Sequence, residues 1–167
     1  MKLFKMIFLS IVLSLPLFGQ REYTNEVLEQ GLKNIDEFIE FLTYPNDANY
    51  KPDIDKLINW TEDKFESLDF KIEKLETETI PILLASKHIN DSYKTILIYL
   101  HLDGQPVDLN KWNQENPFIP VFKLNKDGNF IDYDSRKLKN INYETLEEND
   151  IRIFARSSSD AKGPVMM

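Results

Sequence analysis

T-I-L-I-Y-L-H-L-D-G-Q-P-V-D, residues Thr95 to Asp108, opens as an apolar, β-branched run and ends in a polar turn. Thr95–Leu100 is rich in Ile, Leu and Tyr and lacks Gly and Pro, which predicts a buried strand. His101 and Asp103 follow two residues apart, so in extended backbone they project from one face of the strand tip. Gly104 and Pro106 then turn the chain away. Open α/β sheets place their chemistry at the carboxyl ends of core strands. An imidazole there can bind a metal through one nitrogen while a nearby carboxylate orients the ring through the other. The plainer alternative is a polar residue leaving a strand and an ordinary Asp-Gly turn, because H-x-D is a short pattern.

The chain has 167 residues, about one domain's worth. Residues 1–19 carry the pattern of a secretory signal peptide: Lys2 and Lys5, then the apolar run Met6–Leu15, then Pro16 and Gly19. That run is too short for a stable membrane span, so the mature protein, from residue 20, is expected to be exported to the periplasm or the extracellular space. There is no cysteine, which excludes disulfides, thiolate metal ligands and cysteine nucleophiles. Any metal must therefore sit among His, Asp and Glu. The net charge of −8, with no basic stripe, argues against nucleic acid as a partner.

Along the mature chain, apolar residues from Val27 to Leu42 follow a helical period within Arg21–Thr43, and Tyr44–Pro45–Asn46 ends that helix. Gly31 weakens it without stopping it. A second helix is expected over Asp53–Leu68, with strands at Phe70–Leu75 and Ile80–Ala85. Val121–Leu124 and Asn129–Asp132 flank Lys126–Asp127–Gly128 as a β-hairpin, and Ile151–Ala155 returns as a strand. Tyr133–Asp150 reads as a polar surface excursion with a helical turn. The ending Gly163–Pro164–Val165–Met166–Met167 reads as the opening of an apolar helix, so the chain is expected to be the amino-terminal part of a longer protein.

Leu100–Asp108 with Trp112 and Pro117–Phe118, followed by Ala155–Arg156–Ser157–Ser158–Ser159–Asp160–Ala161–Lys162–Gly163–Pro164, resembles family twenty of the metallopeptidases. This is the co-catalytic zinc group that includes carnosine-type dipeptidases, aminoacylases, glutamate carboxypeptidase and succinyl-diaminopimelate desuccinylase. Phe41–Asn46 also looks like that family's leader helix and Pro-Asn turn, and the resemblance runs from about Tyr23 to the last residue. It implies an α/β fold, a partial three-layer α/β/α catalytic domain with an inserted β-hairpin in the dipeptidase-like branch, truncated at the carboxyl end. His101 and Asp160 would be metal ligands, Asp160 bridging two divalent ions, and Asp103 would orient His101 near the reacting centre. The ions would be zinc, with manganese or cobalt as alternatives.

The implied reaction is metal-dependent hydrolysis of a peptide or N-acyl amide bond in a small substrate, with aminoacylase or deacetylase chemistry as a variant. A homodimeric parent is compatible with it. The rival from another class is a secreted α/β binding domain that holds no metal. Many family members have Gly-Arg-Gly where this chain has Ala155, Arg156 and Ser157, and a second Asp at Ala161. The family's Glu-Glu pair, a further acidic ligand and a distant histidine would lie downstream, as would its dimerisation domain. Glu147–Glu148 precedes Asp160 in an acidic run and reads as a solvated face, and His88 beside Lys87 as a loop residue. By itself the chain is expected to be inactive.

Overall fold

The computed structural model describes residues 16–166, with side chains from Asn25 onward. The expected signal peptide lies outside them except for Pro16–Gly19, which open the first helix. Among the described residues no helix is long and apolar enough to cross a membrane. The architecture is mixed α/β. In chain order come α1 (Pro16–Lys33), α2 (Ile35–Thr43), α3 (Lys51–Ser67), β1 (Lys71–Leu75), β2 (Ile82–Ser86), β3 (Val121–Lys126), β4 (Asn129–Asp132), α4 (Tyr143–Glu148), β5 (Arg152–Phe154) and α5 (Lys162–Met166). Short 3₁₀ turns cover Leu109–Lys111 and Ser135–Asn140.

The first expected helix is divided, and the break falls at Asn34 rather than Gly31. Asn34 takes φ −98° and ψ 1°, and its N–H is shared between the carbonyls of Gln30 and Gly31, each at 3.2 Å. Asparagine is a poor helix former because its side chain competes for backbone hydrogen bonds, so a mid-helix Asn is a natural fault line. Tyr44, in extended backbone, ends α2 where Pro45 forbids continuation. Pro52 opens α3 in its first turn, where its missing N–H costs nothing.

The core is built by α2 and α3. Phe41, Leu42 and Leu57 are fully buried, and Ile54, Ile58 and Thr61 nearly so. Phe41 stacks on Trp60 with ring centroids 4.5 Å apart and planes inclined by 15°. The rim of this contact is polar: the Trp60 indole N–H donates to Glu40 at 3.0 Å, and Lys64 pairs with Glu37.

Two small antiparallel sheets complete the fold, one of β1 and β2 and one ordered β4-β3-β5. The hairpin matches its sequence signal. Lys126 pairs with Asn129 across a two-residue turn in which Asp127 and Gly128 both have positive φ, 53° and 85°. A turn of that hand fits the right-handed twist of its strands, and Asp-Gly is among the pairs that adopt it most readily.

Thr95–Leu100 departs from expectation. It pairs with no strand, and Ile96, Leu97, Ile98 and Tyr99 are 73–85 % exposed. The physical reason is a lack of neighbours, since a run apolar on both faces becomes a strand only between partners that bond both edges and cover both faces. Ile82 and Leu84 of β2 also remain exposed. The one parallel contact among the described residues is an isolated bridge between Asp47 and Gly104.

Candidate metal centre

Three segments meet at one open cleft of ≈ 510 Å³, lined by His101, Asp103, Gly104, Arg156 and Asp160 among others. The first is the turn after α2. Asn46 is 1 % exposed, and its backbone carbonyl accepts the Gly104 N–H at 2.7 Å. The Gly104 carbonyl in turn accepts the Ala48 N–H at 2.9 Å. This exchange pins the H-L-D-G segment to the end of the helical core. Gly104 suits this approach: a Cβ there would lie 3.0 Å from Asn46 Nδ2 and 3.1 Å from Arg156 Nη2, a tight fit that those side chains would have to ease.

The second segment carries His101 and Asp103, and the third is the loop from Ala155 to Gly163. The loop is anchored at both ends. Its entry is held by the Arg156 N–H, which donates to the Pro117 carbonyl at 2.6 Å. Its exit is held by Lys162, which is fully buried and donates from Nζ to the carbonyls of Phe41, at 2.8 Å, and Tyr44. Those carbonyls belong to the C-terminal end of α2, where that of Phe41 also accepts the Tyr44 N–H at 3.4 Å. The same ammonium lies 5.2 Å from the Phe41 ring centroid. Burial pushes Lys162 down to about 7, while its two carbonyl partners favour the protonated form.

Within the loop, Ser157 has φ 64°, a conformation that favours glycine. Gly163 is pressed against the loop's own backbone, so that an added Cβ would lie 2.4 Å from the Ser158 carbonyl oxygen. Gly163→Ala is therefore expected to destabilise the chain by about 1–3 kcal/mol through overpacking. Urea denaturation measures it, and an unchanged midpoint contradicts the contact.

The geometry brings the two expected ligands together. His101 Nε2 stands 3.2 Å from Asp160 Oδ1, with the side chains 48 % and 83 % exposed, so both are open to a solvent-borne ion. Two donors on one tetrahedral zinc, each about 2.0–2.1 Å from it, lie about 3.3 Å apart. The same spacing is that of an ordinary His–Asp hydrogen-bonded pair. Asp103 lines the same cleft, but the carboxylate within reach of the ring is that of Asp160. Arg156 donates from Nη2 to the Gln105 carbonyl at 2.9 Å, tying the loop to the chain beyond Asp103, and its Nε is buried without a partner.

Other candidates lie elsewhere. His88 pairs with Asp91 at 3.3 Å, both well exposed, and Glu147 and Glu148 are exposed near the end of α4. Among the described residues no cluster of three or more His, Asp or Glu is placed to hold a metal. Asn46 and Lys162 are the residues whose roles the sequence did not announce. Asn46 read as a helix stop, and Lys162 as part of a motif rather than as a buried cation. Compared with protein-family models, curated proteins and solved structures, the chain returns no match.

Proposed function

We propose that this chain contributes half of a di-metal site to an exported hydrolase that cleaves a peptide or N-acyl amide bond in a small substrate. The observation that carries the reading is the 3.2 Å separation of His101 Nε2 and Asp160 Oδ1 in an open cleft. His101 and Asp160 would hold divalent ions, zinc first, and Asp160 would bridge two of them. Bound there, such ions supply a water acidic enough to be hydroxide near neutral pH and an electrophile for the scissile carbonyl. Asp103 stands in the same cleft as the second carboxylate, where it can hold or move a proton beside the reacting groups.

A catalytic zinc site uses three protein ligands, and the described residues bring two. The remaining ligands and the general base would come from outside the described residues. The bare apolar run Ile96–Tyr99 supports this, because strands on either side of it would convert exposed surface into sheet interior. The glycine-favouring backbone of Ser157, at a glycine position of the resembling family, supports it independently.

Metal analysis of the protein tests the proposal. Zinc is expected to survive gel filtration at about two ions per chain, and His101→Ala to lower that content. A metal-free protein unaffected by the substitution would instead favour an α/β binding domain. Rates on dipeptides and on N-acetyl amino acids then separate dipeptidase from aminoacylase chemistry.

A further inference from the structure

We infer that Asn46 is the positioning residue of the cleft, one buried carboxamide that sets how the Asp160 loop stands relative to His101. The inference rests on the metal reading above and adds a residue outside the ligand set. The Asn46 Nδ2 group donates to the Leu102 carbonyl at 2.9 Å and to Ser157 Oγ at 3.0 Å, and the Ser157 hydroxyl lies 3.3 Å from Asn46 Oδ1. Leu102 sits between His101 and Asp103, and Ser157 lies in the short loop that ends at Asp160. This buried side chain thus joins the two segments that supply the donors, beside the exposed link from Arg156 Nη2 to the Gln105 carbonyl, and no sheet ladder joins them among the described residues.

Backbone and side chain divide the work. The backbone exchange between Asn46, Ala48 and Gly104 holds the His101 segment whatever side chain stands at position 46. The carboxamide alone reaches Ser157. Removing it leaves His101 in place and loosens the Asp160 side of the pair. Residues that orient metal ligands without touching the metal change affinity by about 10–100-fold when replaced.

The experiment is a Co²⁺ titration of the full 167-residue chain, followed through the imidazole resonances of its two histidines at a temperature where every variant is folded. Asn46→Ala is expected to weaken the apparent affinity at His101 by about 10–100-fold. Leu57→Ala, which empties a fully buried core site that does not line the cleft, is expected to leave that affinity unchanged while lowering stability. A merely structural Asn46 would behave as Leu57 does. Should Asn46→Ala fail to fold, Ser157→Ala cuts the same link from its other end and must show the same loss. Equal affinities in wild type and variant overturn the positioning role and leave the metal reading standing. Absence of any saturable His101 response in the wild type overturns both.

Discussion

On the proposed hydrolase function, His101→Ala is expected to lower kcat/KM for dipeptide hydrolysis by at least about 10³-fold, or about 4 kcal/mol of transition-state stabilisation. The size follows from the chemistry. A metal acts on the reacting carbonyl and on the water only while it is held in place, and removing one ligand from a three-ligand site removes both effects together. Asp160→Ala is expected to cost at least as much, because a bridging carboxylate serves two ions. The single losses are not additive, so the double variant falls no further than the worse of the two. Steady-state assays at saturating zinc measure this. A loss below tenfold in either single variant would remove that residue from the ligand set.

Phe41→Ala lowers the unfolding free energy by about 3–5 kcal/mol, a large share of the about 5–15 kcal/mol that domains of this size possess. Phe41 is fully exposed to these consequences because it is fully buried, stacked on Trp60 at 4.5 Å and lying beneath the Lys162 ammonium. Truncation leaves a cavity beneath Trp60 and strips one face of the cation of its aromatic neighbour. The backbone carbonyl of residue 41 still accepts from Lys162, so the loop remains tethered while the core beneath it is emptied. Urea unfolding followed by Trp fluorescence reads the change. A cost under about 1 kcal/mol would mean that α2 and α3 do not form the core described.

Local rules made the helices and the hairpin legible. Pro45 and Pro52 bracket the turn between α2 and α3, and Asp127–Gly128 closes β3 on β4 within two residues. Those signals act over a few residues and need no tertiary context. The run Thr95–Leu100 carried an equally strong β signal and stands unpaired, because strand formation needs partners that composition cannot supply.

The site divides along the same line. His101 and Asp103 were visible as a pair because they are near in sequence. Asp160 came into view only through resemblance, since nothing local in Ser159–Asp160–Ala161 points to a histidine far upstream. Asn46 read as a helix stop because its side-chain partners, Leu102 and Ser157, are set by tertiary structure. Lys162 is a similar case: a lysine is expected at the surface, and only the carbonyls at the end of α2 explain its burial.

The most direct test uses the protein's own internal control. His88 and His101 are its two histidines, and each stands beside an aspartate, Asp91 at 3.3 Å and Asp160 at 3.2 Å. In a zinc titration followed through the two imidazole resonances, His101 responds saturably, Asp160→Asn abolishes that response, and His88 changes little and identically in both proteins. If His101 responds no differently from His88, or keeps its response without the Asp160 carboxylate, the two residues do not share a metal and the account fails.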